Sequence, residues 1–585
     1  MNIQRYLLAF SLCLAVLIMQ PYYMEWLGYE SDYSTKQVQD NDIALNQPPS
    51  QNNTVINEKT YQKNSAFEDQ NYPIPNNERI IKIKTNSFSA EISSIGGGSY
   101  KSFILYTEDA LSNHKYLGGY NDAGIYEDSM QVSLINPNSC AGCISLFNEG
   151  MVTKNFQPIR DSFTITNLPP NKNDYFIEPE DSLLINFSLF QEKSNSFIKK
   201  TMVFYGNKYK TSYSIKGENL PENSYLGLSW FGGLRTTEKG DYSKNSGSGM
   251  SLGYIPYEEG LITGENTEII GAGESSISID NNVAWSAIKN KYFICALLLD
   301  KQNGMAKITS SSIDVGPLIN LPVFDASITS LNNSLNGSLY LGPLDINHIK
   351  KLNWNLDTTM NFGWAPVRPF SKLVLWVLQF LHETLKINYG YILILFAFII
   401  RFVTGPLTKK SFVSQQKIQA LQPKIKKMNK QFKDDPKRQQ KALIDLYRQE
   451  GVNPVGGCLP MLLQMPLLFA LFTVFRSTIE FRGANFIWWI TDLSKPDYIL
   501  DLPFSIPIYG DGIAVIPILF GITMVYNMKN SMATMDPAQK PLMYIFNGFF
   551  VLLFNSFPSG LNLYYTTYNI LSILQQRSLK KTLSV

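Results

Sequence analysis

YGYILILFAFIIRFVTGPLTKK, from Tyr389 to Lys410, is the stretch on which the reading of this chain turns. It is an apolar run of membrane length with a permanent cation inside it. If the run is helical from Tyr389 to Lys409, a rise of about 1.5 Å per residue puts Arg401 roughly 18 Å from one end and roughly 12 Å from the other. Hydrocarbon surrounds such a position. A guanidinium there costs about 2.5–3.5 kcal/mol on insertion scales, so Arg401 is expected to face protein or trapped water and to serve a function. The alternative is an arginine that snorkels to the nearer interface, marked by Lys409 and Lys410.

Four more apolar runs follow it: Val455 to Thr478, Ile513 to Met528, Leu542 to Phe557 and Leu561 to Gln575. The first is long enough to cross a bilayer, the next two are shorter, and the last is short and polar, with Asn562, Thr566, Thr567 and Asn569. Short spans and buried amides predict a locally thinned bilayer around a wet bundle interior. Upstream, Phe370 to Leu385 places Leu373, Val374, Val377, Leu378, Leu381 and Leu385 at three- and four-residue steps, with Lys372, Gln379, His382 and Glu383 on other faces. That pattern predicts a helix lying along the outer membrane interface; a buried core helix is the competing reading. At the start of the chain, Arg5 precedes the apolar run YLLAFSLCLAVLIM, and Tyr22, Tyr23, Trp26 and Tyr29 follow it. No small-x-small cleavage site comes after the run, so an uncleaved anchor with its positive end inside is expected. The total is six crossings.

Charge placement sets the orientation. The loop from Lys409 to Arg448 is dense in Lys and Arg, and Lys529, Lys540, Arg577, Lys580 and Lys581 flank later spans on the same predicted side. The opposite loop, Glu480 to Asp511, is mostly acidic. Both termini are therefore expected in the cytoplasm. Within the basic loop, Ile418, Leu421, Ile425, Met428 and Phe432 form one helical seam, and Asp434-Asp435-Pro436 starts a second helix bearing Leu443, Leu446 and Tyr447. This predicts a helical hairpin carrying Lys424, Lys426, Lys427 and Lys430. Two readings of it stay open: a solvated spacer, or a docking arm for an anionic partner such as ribosomal RNA or lipid headgroups.

The exported part begins with a polar tether, Ser31 to Asn77, too poor in apolar residues to fold. From Arg79 to about Lys350, short alternating runs such as Ile81 and Ile83 between Lys82 and Lys84, separated by Gly, Asn and Pro, predict a large β-sandwich. Cys140 and Cys143 form a CAGC pair there, where a local disulfide is plausible; with no second pair and only three scattered histidines, no metal site is expected. Trp230 and Trp285 with nearby Asn and Asp leave a saccharide groove open, although aromatics at strand spacing usually form core. No catalytic set, no nucleotide-binding loop and no need for a cofactor emerge. A solute transporter or channel is the rival class; it calls for intramembrane carboxylates, and none lies centrally in the spans.

Several motifs, in order, resemble the YidC-type membrane protein insertases, bacterial relatives of the mitochondrial Oxa and chloroplast Alb proteins: IIRFVTGPLTKK, LQPKIKKMNKQF with its DDP turn, YRQEGVNPVGGCLPMLLQMPLLFALF, ITDLSKPDYIL and FPSGLNLYYTTYNILSILQQ. The likeness is strong from Trp364 onward and fainter before it. It implies a polytopic α-helical membrane protein of six transmembrane helices: an anchor at 1–29, a linker at 30–77, a periplasmic β-sandwich at 78–350, a linker and interfacial helix at 351–388, and a five-helix insertase core at 389–585 with its cytoplasmic hairpin at 411–451. It further implies a hydrophilic groove with Arg401, Gln464 and Tyr565, and a substrate slide with Met465, Pro466 and Leu468. Nascent membrane proteins are the implied partners, with membrane lipids, the Sec translocon and the ribosome; DNA is not. Where the family often has a polar residue four positions before the arginine, this chain has Ala397.

Overall fold

The computed structural model describes residues 77–583 apart from 107–113, 123–124, 138, 149–155, 193, 239–248, 255–262, 268–274, 301–303, 317–318, 331–333, 433–434, 453–458, 507 and 533–539. The anchor expected at 1–29 and the tether up to residue 76 lie outside the described residues. What is described falls into two units that meet in sequence at Met360 and Asn361.

The first unit is built of strands. Ile81 and Ile83 are buried while Lys82 and Lys84 point to water, and the strand Ile80–Lys84 pairs antiparallel with Phe88–Ser93. Alternation therefore sets the buried face, as the two-residue period of a strand requires. The turn Gly96-Gly97-Gly98 has φ of 70°, 70° and 87°, and a Cβ on Gly98 would lie 2.6 Å from the Met202 sulfur. Only glycine permits both that backbone and that approach.

The expected sandwich is corrected in one respect: hydrogen bonding links its main strands into one closed network rather than two separate sheets. Strands that change partner along their length are the cause. Ser275–Lys289 pairs with Gly304–Gly316 through its first half and with Phe293–Leu299 through its second, the register breaking between Ile279 and Val283. A register break bends and twists the strand, so the ladder curves round instead of ending at an exposed edge.

Trp230 and Trp285 are both 0% exposed, and their indole nitrogens donate to the Gly233 and Trp354 carbonyls at 2.8 and 2.9 Å. They are core residues and line no saccharide groove. Cys140 and Cys143 are joined as a disulfide, with Cα atoms 5.7 Å apart. Beside this loop the Lys200 amine is fully buried and donates to Gly142 O at 2.7 Å and Gly98 O at 3.4 Å. Burial pushes its pKa down to about 7 from 10.5. Between those values the folded chain binds fewer protons than the unfolded one, so stability rises with pH across that window and is lowest below it. Lys200→Met is expected to flatten this rise. Denaturation midpoints of the full chain at pH 7.5 and 9.5 check it; an equal rise in the variant assigns the pH dependence elsewhere.

The second unit is helical. After the single turn α1 (Ile346–Lys350) of the first unit, the second opens with α2 (Arg368–Leu385). This helix buries Ser371, Val374, Leu375, Leu378 and Gln379 against α5 (Leu459–Ser477), and it exposes Phe370, Leu373, Trp376, Phe380 and Leu385. The seam read from sequence is thus corrected: Leu373 faces out, and Gln379 faces in to donate to Glu480 Oε1 at 2.6 Å. Both sides of α2 are largely apolar.

The helix α3 (Tyr389–Gln431) runs 43 residues without a break, about 65 Å at the α-helical rise. Asn388 caps it by accepting from the Gly390 N–H at 2.8 Å. It continues through Pro406 and Pro423; around the first, Thr404 and Thr408 donate to the carbonyls of Ile400 and Thr404. The apolar run and the first arm of the basic hairpin are therefore one helix. Asp435 caps α4 (Pro436–Gln449), and Leu443, Leu446 and Tyr447 pack on a cluster of Leu421, Ile425 and Val452. The remaining helices are α6 (Val515–Met532), α7 (Lys540–Phe554) and α8 (Ser559–Leu583).

Among the described residues α3 alone is long and apolar enough, by length and composition, to cross a membrane; Val515–Asn527 is a shorter apolar helical stretch. The loop from Thr478 to Asp497 gathers the helix ends. Asn388 Nδ2 donates to Asn485 O, the Ser559 N–H donates to Lys495 O at 2.7 Å, and Asp497 Oδ2 accepts from the Val515 and Ile516 N–H groups. The starts of α3, α6 and α8 and the end of α5 consequently meet at one end of this unit. The end of α7 joins them through Asn555, whose Oδ1 accepts from the Ala514 N–H at 3.0 Å.

Candidate functional site

Helices α3 and α8 pack side by side, and their contact holds the cation. Arg401 is only 8% exposed. Its Nη1 donates to the Tyr568 hydroxyl at 3.2 Å, and its guanidinium carbon lies 5.2 Å from the centre of the Tyr568 ring. Both contacts attract a cation. Yet Nε and Nη2 are buried and have no hydrogen-bond partner among the described residues. A guanidinium has five donors in a fixed fork, so much of this one's capacity is unused by the fold.

The residues around it explain the vacancy. Ala397, one turn before Arg401, is fully buried and offers neither donor nor acceptor. Thr404, three residues after it, has its hydroxyl 3.5 Å from that of Tyr568. On α8, Tyr564 lies one turn before Tyr568, stacked at 6.1 Å, and packs on Phe396 of α3 at 5.7 Å. The Tyr564 hydroxyl is also buried and unpartnered, as are Thr566 Oγ1 and Gln575 Oε1 on the same helix and Asn527 Oδ1 on α6. Unsatisfied buried polar atoms are uncommon in a dry fold, where each costs about 1–3 kcal/mol, and they are the places where water or a ligand is accommodated.

Of the expected groove set, Arg401 occupies this contact, but Tyr565 does not share it. Tyr565 turns to the other side of α8, between Phe520 of α6 at 6.3 Å and Phe554 of α7 at 5.8 Å. Tyr568 is the tyrosine that meets the cation, and the four-residue step from Tyr564 was the signal for it. Gln464 is half-buried on α5, and no hydrogen bond joins it to Arg401. In the expected slide, Met465 is exposed while Pro466 and Leu468 are half-buried; Phe469, one turn after Met465, is exposed as well and extends the stripe. Sequence reasoning had not singled out Phe469. Lys424, Lys426, Lys427 and Lys430 all face outward on α3, although Lys424 is tied to Glu450 at 2.6 Å. With both partners of that pair part-exposed, its contribution is small.

An apolar helix bearing a buried, half-paired guanidinium among tyrosines belongs to a membrane protein with a polar interior. Comparison with known proteins gives the family. The family model described as "60Kd inner membrane protein" matches residues 380–584, and that of the "YidC periplasmic domain" matches residues 80–377. A "Membrane protein insertase YidC" from Chloroherpeton thalassium is 34% identical over 525 residues, covering 86% of this chain and 83% of that protein. Similarly named proteins from Chlorobaculum parvum and Chlorobium limicola are 34% and 39% identical over 519 and 399 residues, covering 87% and 65% of this chain and 83% and 66% of theirs. The chain belongs to the YidC family of membrane protein insertases, with an inner-membrane region and a periplasmic domain.

Proposed function

We propose that this protein inserts nascent membrane proteins into the inner membrane and assists their folding, alone or beside the Sec translocon, with no covalent step. The observation that carries the reading is the buried Arg401 guanidinium with two nitrogens unpaired. A polypeptide crossing the bilayer must take its polar tail through hydrocarbon, where each unsatisfied backbone group costs several kcal/mol. Free donors on a fixed cation, with the tyrosine and amide oxygens of α6 and α8, supply partners along that path. The apolar segment that follows would leave sideways past Met465, Leu468 and Phe469.

The proposed topology has six crossings, both termini in the cytoplasm and the β domain outside. Its support is the clustering of helix ends at the Thr478–Asp497 loop, with Lys540 and Arg577 toward the other ends of their helices and Lys409 and Lys410 midway along α3, where its apolar part gives way to the basic arm. On this reading the α3–α4 hairpin projects into the cytoplasm, where Lys426, Lys427 and Lys430 present a positive surface to an anionic partner such as the ribosome. Site-specific photocrosslinking tests the path: probes at Met465 and Leu468 are expected to capture a stalled nascent membrane protein through its apolar segment. A probe at Lys199, on the exposed face of a strand in the β unit, serves as the background. Capture at α5 no greater than that background counts against the slide.

A further inference from the structure

The hairpin formed by the strands Tyr498–Ile506 and Gly510–Ala514 is more apolar on its surface than a solvated ribbon should be. Phe504 is 63% exposed, and Ile499, Leu500 and Ile508 are exposed by more than half. Trp488, in the adjoining loop, is 83% exposed and stacks on Trp489. From Tyr498 to Ala514 the only charged residues are Asp501 and Asp511.

Three features together say what covers these side chains. Ile499 and Leu500 are successive residues, both more than half exposed, and the register with Gly510–Ala514 breaks between Tyr498 and Leu500. An apolar surface laid over so irregular a ribbon offers no flat face to a protein partner, whereas a fluid apolar phase conforms to it. Next, the ladder loosens where it is most apolar: its register shifts between Asp501 and Ile506, the interval that contains Pro503 and Phe504. Ile508 holds φ of +74°, a rare conformation for a β-branched residue. The surrounding bonds keep it there, with Ser556 Oγ donating to Ile508 O at 3.2 Å and Asn555 Nδ2 to Tyr509 O at 2.8 Å. Finally, the hairpin has no linker. Its last residue, Ala514, is followed directly by α6, and Asp497 just before it caps that same helix. It therefore sits at the level where α6 begins.

We propose that this hairpin is a lipid-binding wedge, seated in the periplasmic leaflet at the boundary between headgroups and acyl chains, with Phe504, Ile499, Leu500 and Ile508 in the hydrocarbon and Trp488 at its edge. Its unpaired strand edges keep it shallow, because backbone groups without partners are not carried into the bilayer centre. Trp at such a boundary has an apolar body in oil and its N–H toward water. The partner is bilayer lipid, and the seat rests on the proposed topology, in which the beginning of α6 lies on the outer side.

The test places the photoreactive residue p-benzoylphenylalanine, one position at a time, in the full chain reconstituted in bilayers. The positions are Phe504, Phe402 and Asp128. Phe402 is 85% exposed on the apolar part of α3, and Asp128 is exposed on the β unit. The expected result is a lipid adduct at Phe504 within about twofold of that at Phe402 and about tenfold above that at Asp128. An adduct at Phe504 no greater than at Asp128, with Phe402 still labelled by lipid, overturns the wedge and leaves the insertase topology standing. Loss of the lipid adduct at Phe402 as well removes the topology on which the wedge depends. Crosslinking of Phe504 chiefly to protein, whether a second copy or another chain, also overturns it.

Discussion

Arg401→Ala is expected to reduce insertion of a substrate with an acidic exported tail by about tenfold or more, the effect of removing about 1.4 kcal/mol of stabilisation along the path. Charge-assisted hydrogen bonds contribute about 1.5–3 kcal/mol each, and Arg401 has two buried nitrogens that the fold leaves unpaired. Arg401→Lys keeps the charge but loses the planar fork and the stacking on Tyr568, so it should fall between wild type and alanine. Tyr568→Phe, which deletes only the hydroxyl 3.2 Å from Nη1, should have a smaller effect than either. Insertion is read by protease protection of the exported tail in cells depleted of their own insertase. Wild-type insertion of every acidic-tailed substrate by Arg401→Ala would remove the cation from the mechanism.

Asn555→Leu is expected to destabilise the helical unit by about 3 kcal/mol or more, since about 1–3 kcal/mol attends each buried group left without its partner. The Asn555 amide donates to Tyr509 O at 2.8 Å and Gly512 O at 2.7 Å while its carbonyl accepts from the Ala514 N–H at 3.0 Å. One side chain at the end of α7 thereby fixes the hairpin and the approach to α6. Asn555→Asp retains the acceptor and brings a carboxylate against two carbonyls, so it should be nearly as damaging. Thermal unfolding of the full chain in detergent should show a fall of about 6 °C or more in Tm. An unchanged Tm would mean that the three bonds are replaced without loss.

The alternation around Ile81 and Ile83, the cap at Asp435 and the seam through Ile418, Leu421 and Ile425 were all legible in sequence, because each depends on residues within a turn or two. The faces of α2 were not. Val374 and Leu378 turn inward as expected, but Leu373, Trp376 and Phe380 are apolar and outward. Periodicity marks apolar positions without saying which of them the fold covers, and α2 has apolar residues on both its buried and its exposed side. The same limit applies to the cation site. Arg401 was conspicuous as a charge in an apolar run, whereas choosing among Tyr564, Tyr565 and Tyr568 required knowing which face of α8 meets α3. Closure of the β unit depends on partners far apart in sequence, such as Ser275–Lys289 with Gly304–Gly316, and no local pattern announces them.

The continuity of α3 has a mechanical consequence. Arg401 and the Leu421–Ile425 contact with α4 lie about 30 Å or more apart on one rod at the α-helical rise. A partner that grips the basic arm therefore holds a lever whose far end carries the guanidinium. Pro406 lacks an amide hydrogen and stands one turn beyond Arg401, which makes it the joint where that lever bends most easily. Load applied at the arm is thus relieved first beside the charge, so engagement at the basic end of the rod and repositioning of the cation become two aspects of one movement.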